Sequence, residues 1–239
     1  MSSDFQAPNE NPAANHSEAP MAETTEAKSA GKNKGKYKLL LWLNLLWVIP
    51  LVVFWILNYS SSFEIEGTVL RSYEGSAVKA VIPKGVTEIE FRAFKDCQSL
   101  TSVVIPEGVK EIGIFAFSGC SSLKSVVIPE GVTEIEWEVF NGCSSLTSVE
   151  IPKGVTEIGQ DAFSGCSSLT SVVIPEGVTE IGMNAFNGCN SLTSVVIPES
   201  VKEIEYQTFE DCPKLTIHAP AGSYAEKYAK ENGIPFEVK

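Results

Sequence analysis

The stretch VVIPEGVTEIGMNAFNGCNSLTS, residues 172–194, decides how the rest of the chain is read, because it returns with few changes along most of the sequence. Six cysteines, at 97, 120, 143, 166, 189 and 212, each stand 23 residues after the last. Leucines keep the same interval from Leu100 to Leu215, phenylalanines from Phe94 to Phe209, and Ile-Pro pairs from Ile82-Pro83 to Ile197-Pro198. A cysteine framework made for disulfides has irregular spacing. A constant interval marks one structural unit copied in tandem. A unit this short cannot bury its own apolar face, so copies must stack and share a continuous core.

The pattern inside one unit shows how it folds. In the copy carrying Leu100, Val103 and Ile105, the V-x-I spacing reads as a short strand with alternate residues inward. Pro106 ends that strand, since it has no N–H to donate. Gly108 follows in a turn, where a positive φ is expected. Val109 and Ile112 point inward from a second extended stretch, and Ala116-Phe117 bring the chain back to Gly119-Cys120. Both ends depart from the pattern, as caps do. Residues 67–83 read as a degenerate lead-in unit without the Phe and Cys. At the far end Ser223-Tyr224-Ala225-Glu226 reads as a capping box opening a helix to about Asn232, with Gly233 as its C-cap.

These units resemble leucine-rich repeats, and residues 172–194 resemble the BspA-like subclass closely. The resemblance covers about residues 67–238. It implies an α+β repeat protein: a leucine-rich-repeat solenoid of short parallel strands and turns with a 23-residue unit, closed by a C-terminal helix and strand cap. It also implies a surface-exposed array of the kind used as adhesins. The expected layout is a disordered tail (1–36), an apolar span (37–59), a linker with the degenerate cap (60–82), the repeats (83–217) and the C-terminal cap (218–239).

Residues 1–36 are rich in Ala, Ser, Asn, Glu, Pro and Lys and cannot bury a core. Residues 39–57, LLLWLNLLWVIPLVVFWIL, carry no charge. As a helix they reach about 28 Å, close to the roughly 30 Å of a bilayer's hydrocarbon core. Lys28, Lys32, Lys34, Lys36 and Lys38 crowd one flank, and the first basic residue beyond the other is Arg71. The positive-inside rule therefore expects a single-pass cell-membrane protein with a cytoplasmic N-terminus and extracellular repeats. The long leader favours an uncleaved anchor over a cleaved signal peptide. Asn44 within the span either promotes a helix-mediated homodimer or is simply tolerated.

The five lysines before the span balance five acidic residues, so the net charge of −12 belongs to the residues beyond it. An acidic outer part argues against nucleic-acid backbones and leaves a cell-surface or extracellular protein as the expected partner. The cysteines are expected as free, buried apolar fillers, because equivalent Cβ atoms on stacked strands lie farther apart than a disulfide takes. No cofactor is expected. With His16 in the tail and His218 near the cap as the only histidines, the chain lacks a nucleophile–base set, and no enzyme is expected.

Three ladders are candidate surfaces. Val104, Val127, Glu150, Val173 and Val196 face outward by strand alternation, and an apolar stripe facing water marks either a contact surface or plain β-propensity. A second ladder is where the copies differ most: Phe91-Arg92, Ile114-Phe115, Trp137-Glu138, Gln160-Asp161, Met183-Asn184 and Tyr206-Gln207, with Phe91, Phe115, Trp137, Gln160, Met183 and Tyr206 as the candidate contacts. A position fixed by packing repeats, so variation with many aromatics reads as a recognition surface, unless the rings fold over the core edge. The third, from Glu88 through Glu111, Glu134, Glu157 and Glu180 to Glu203, reads better as a solvated face eased by Lys110 and Lys202 than as a cation site. The expected function is a membrane-anchored, adhesin-like binding module; the alternative is a structural spacer in the envelope without a specific ligand.

Overall fold

The computed structural model describes residues 63–239. The apolar run at 39–57, its Asn44 and the tail lie outside the described residues. Among the described residues no helix is long and apolar enough to cross a membrane.

Each unit contributes two short strands, so the chain climbs as a β-solenoid of about seven turns. The longer strands are β3 (Lys79–Val81), β5 (Ser102–Val104), β7 (Ser125–Val127), β9 (Ser148–Glu150), β11 (Ser171–Val173), β13 (Ser194–Val196) and β15 (Thr216–Ala219). The other side carries β2 (Val69–Tyr73), β4 (Glu88–Ile89), β6 (Glu111–Ile112), β8 (Glu134–Ile135), β10 (Glu157–Ile158), β12 (Glu180–Ile181) and β14 (Glu203–Ile204). Each of these pairs in parallel with a counterpart one turn away on at least one side, as in Val172 beside Val195 and Ile158 beside Ile181. The 23-residue repeat thus sets the register: each residue stacks on its own copy. The hydrogen-bonded ladders are interrupted between β9 and β11 and between β6 and β8.

A third wall is made of turns. Phe94 N donates to Ala116 O at 2.8 Å and Phe117 N to Val139 O at 2.9 Å, and Phe140, Phe163 and Phe186 repeat the bond onto the next turn. Inside this wall the phenylalanines form one column. From Phe94 to Phe209 successive ring centroids lie 4.8–5.6 Å apart with planes within 15°. Such offset pairs add about 0.5–1.5 kcal/mol each beyond the area they bury. The cysteines line up beside them. Cys120, Cys143, Cys166 and Cys189 are buried, while Cys97 and Cys212 at the two ends are half-buried, and all six are free thiols. Cys143 Sγ donates to Phe117 O at 3.3 Å, and Cys120, Cys166, Cys189 and Cys212 make the same bond. The thiols therefore fill space and also give a second donor to a buried carbonyl that already accepts a backbone N–H within its own turn, as Phe117 O does from Cys120 N at 3.2 Å.

The caps continue the column with other residues. β1 (Phe63–Glu66) folds back antiparallel on β2, a hairpin that repeat spacing does not reveal. Tyr73 stacks on Phe94 at 5.0 Å and Phe63 meets Tyr73 at 5.0 Å with its plane tilted by 41°, so the lead-in turn supplies an aromatic where the sequence pattern has no phenylalanine. At the far end the helix α1 (Tyr224–Glu231) is capped by Ser223, whose hydroxyl accepts from Glu226 N at 3.3 Å. The reciprocal bond of the expected box is shifted by one residue, with Gly222 N donating to Glu226 Oε2 at 2.6 Å. Tyr228 covers the last ring, Phe209, at 6.1 Å, and β16 (Phe236–Val238) closes the sheet edge beside β15.

One expectation about glycine is corrected. In the turn after each proline only Gly85 has a positive φ, at 98°. Gly131 and Gly177 are needed for close approach instead: a Cβ there would meet Val109 O at 3.1 Å and Val155 O at 2.9 Å of the preceding turn.

Candidate binding surface

The variable ladder resolves into two adjacent rows. Phe91, Ile114, Trp137, Gln160, Met183 and Tyr206 occupy equivalent positions just after the short Glu-Ile strands. Arg92, Phe115, Glu138, Asp161, Asn184 and Gln207 form the next row, in which Phe115 is the counterpart of Arg92 and Glu138. The second row has a backbone signature. All six residues are left-handed, with φ between 55° and 61°. That conformation costs an L-residue about 1–2 kcal/mol relative to the right-handed one. Four turns use glycine at the other left-handed position of the unit, at Gly119, Gly142, Gly165 and Gly188. The variable row never does. Six side chains are kept where glycine would relieve the backbone, a pattern that sequence variability alone did not expose.

The rings are out in solvent. Phe91 is 50% exposed, Trp137 56% and Tyr206 73%, so these three do not fold over the core edge. Gln160 and Met183 are half-buried. Phe115 is half-buried too, and meets the Phe91 ring edge-on at 5.7 Å. The chain's own cations cover this first part of the edge. The Arg92 guanidinium lies 4.5 Å from the Phe91 centroid and 5.2 Å from that of Phe115, and Lys95 Nζ lies 5.3 Å from Phe115. Farther along the edge turns acidic. Gln160 Nε2 donates to Asp161 Oδ2 at 3.0 Å, and Met183 N donates to Glu205 Oε2 at 2.6 Å. Burial, and then the neighbouring Asp161 carboxylate, raise the Glu138 carboxyl above its ordinary range; Lys95 and Arg92 pull the other way.

The valine ladder lies on a different face. Val104 and Val127 are exposed, as are Val173 and Glu150, while Val196 is half-buried. Around the interruption between β9 and β11 this face opens into a groove of about 760 Å³. Glu150, Val173, Val196, Pro175 and Pro198 line it, with Lys153 and Lys239 at its rim. Val149, whose counterparts on neighbouring strands are buried, is half-exposed there. No residue of the aromatic row lines this groove.

The glutamate ladder stacks in register, Glu134 on Glu157 on Glu180 on Glu203. None of these carboxylates has an ion pair among the described residues; the Lys202 ammonium donates to Glu199 O at 2.7 Å instead. Burial and then the Glu134 and Glu180 charges raise the Glu157 carboxyl. Among the described residues no group of three or more metal-ligating side chains is arranged to hold an ion.

Known proteins share this architecture. A solved T. pallidum leucine-rich repeat protein, TpLRR, is 31% identical, with 74% of this chain and 96% of that one aligned at a TM-score of 0.65. A Bacteroides ovatus leucine-rich repeat protein is 30% identical over 65% of this chain, at a TM-score of 0.53. A Eubacterium ventriosum protein, 24% identical over 62% of this chain and also at 0.53, shares the fold. This chain spans 52% and 47% of those two proteins' lengths. No curated protein matches. The model of the BspA type leucine rich repeat region matches six copies across residues 73–217. With its repeat register, cysteine column and caps, the chain belongs to the BspA type leucine rich repeat family.

Proposed function

We propose that the chain is a surface-held binding module that grips a protein partner along its variable edge. One observation carries the reading: six non-glycine side chains sit at left-handed positions next to exposed aromatic rings. A solenoid needs no such side chains to stack, and exposed aromatic anchors are what protein interfaces use. The apolar run at 39–57, with its lysine-rich flank, supports anchorage by one membrane span with the repeats outside. The adhesin-like role rests on the same anchorage together with the family.

The test compares attachment of the full chain to a panel of surface and matrix proteins before and after the double change Trp137→Ala with Tyr206→Ala. Loss of attachment at an unchanged melting temperature is expected, since both rings are largely solvent-exposed. Undiminished attachment would put the contact elsewhere. If deletion of whole repeats then proved to be the only damaging change, the chain would be a spacer.

A further inference from the structure

We propose that Trp137 is the docking point for a cationic side chain, lysine or arginine, from a basic segment of the polypeptide partner. The proposal rests on the reading of the variable edge as the binding surface, and it names the chemistry at the centre of that edge.

The edge itself shows what its rings receive. Phe91 and Phe115 already carry the chain's own Arg92 and Lys95 within 4.5–5.3 Å of their centroids. Trp137, two turns beyond Phe91, has no cation over it among the described residues and stays 56% exposed. Indole is the side chain that binds cations best. Carboxylates flank it, and Arg92 and Lys95, which also act on Glu138, are engaged with the Phe91 and Phe115 rings. Glu136 and Glu138 flank it on its own turn, and Asp161 lies one turn on, close enough to act on Glu138. Glu136 is raised in turn by burial and by Glu134, Glu111 and Glu157. None of these carboxylates has an ion pair among the described residues. The sequence beyond the apolar run holds 13 basic and 25 acidic residues, which leaves little cationic charge to bring to the ring from within. A partner's ammonium or guanidinium seated on the indole neutralises crowded carboxylates and gains the ring face at once.

The test uses the full chain and a fluorescently labelled hexalysine peptide, with the fully acetylated peptide as control, read by anisotropy in low and high salt. Hexalysine is expected to bind and the acetylated peptide not. Trp137→Ala is expected to weaken binding about fivefold, the size of an exposed cation–π contact, and Trp137→Phe by less. Hexalysine is also expected to compete with the attachment seen in the panel assay. Binding unchanged by Trp137→Ala would reduce the effect to the general negative charge and overturn the proposal. If Trp137→Ala abolished panel attachment but hexalysine failed to compete, the edge would remain the binding surface and the cation would be wrong. If neither attachment nor peptide binding responded to Trp137, both readings would fall together.

Discussion

Trp137 lies on Gly159 of the next turn: a Cβ placed on that glycine would stand 2.8 Å from the indole Cδ1 and 2.9 Å from Ile135 O. Along the row this contact belongs to Trp137. Phe91, Trp137 and Gln160 are each matched one turn later by a glycine, Gly113, Gly159 and Gly182, and of these only Gly159 lies against a ring, whereas Ile114 and Met183 are matched by Glu136 and Glu205. A flat ring seated on bare backbone is held without needing a pocket.

Gly159→Ala is therefore expected to dislodge the indole and to cost about 1–3 kcal/mol, the usual penalty of overpacking. Gly108→Ala, whose Cβ would meet only Val86 O at 3.5 Å, is expected to be nearly neutral. Thermal melts of the two variants check the difference. Indole emission, taken against Trp137→Phe to remove Trp42, Trp47 and Trp55, checks the displacement. Equal melting temperatures for the two alanine variants would remove the seat.

Side chains retained at left-handed positions should be exchangeable for stability. Asp161, at φ 55°, is one of them. Asp161→Gly is expected to leave the melt unchanged or to raise stability by up to about 1 kcal/mol, relief of the backbone being partly offset by the freedom glycine gains when unfolded. Asp161→Val is expected to lower it, because a β-branched residue fits that region worst. A glycine variant that melted well below the parent would mean the carboxylate itself is structural, through its bond from Gln160.

The stacked carboxylates set a pH dependence. Glu136, Glu138 and Glu157 are all raised above the ordinary value of 4.5, burial being the largest cause in each. A carboxyl raised in the folded state holds its proton more tightly there than in the unfolded chain. Its stabilising contribution is complete below the unfolded pKa and is lost as pH rises through the folded one. Melting temperature is thus expected to climb as pH falls from 7 toward 5, before other carboxylates protonate. Glu226 opposes this in a small way, since Lys230 and the Gly222 N–H lower its carboxyl. Glu157→Gln should raise the melt at pH 7 and flatten the slope; a slope identical to the parent's would show that the ladder is fully screened.

Thiol reactivity should divide by position in the column. Burial pushes the Cys143 thiol up to about 12, and burial also raises Cys166 well above its ordinary range. Cys97 and Cys212 are half-buried and are lowered by the adjoining Cys120 and Cys189 thiols. A thiol reagent is expected to label two groups quickly in the native protein and all six only after unfolding without reductant. Fewer than six after unfolding would mean that some had formed disulfides.

Legibility depended on how local each feature is. The Ile-Pro pairs, the leucine, phenylalanine and cysteine columns, and the α1 capping signal all repeat or sit within a few residues, so they announce the unit and its stacking. The aromatic at Tyr73 was hidden because it completes the column from a strand with no repeat signature. The left-handed row was hidden because its residues share no chemistry: Arg92, Phe115 and Asp161 have only their φ in common. Variability set these positions out as adjacent pairs such as Ile114-Phe115, but it carried no sign that the second member of every pair is left-handed.

Periodicity alone determined that this chain stacks 23-residue turns and which residues fill its interior, because a repeat too short to bury itself has one solution. Which outward side chains meet was decided only in three dimensions. Adjacent turns bring Arg92 over Phe115 and Trp137 onto Gly159, contacts set by backbone twist and ring placement between residues more than twenty positions apart. No spacing rule reports those.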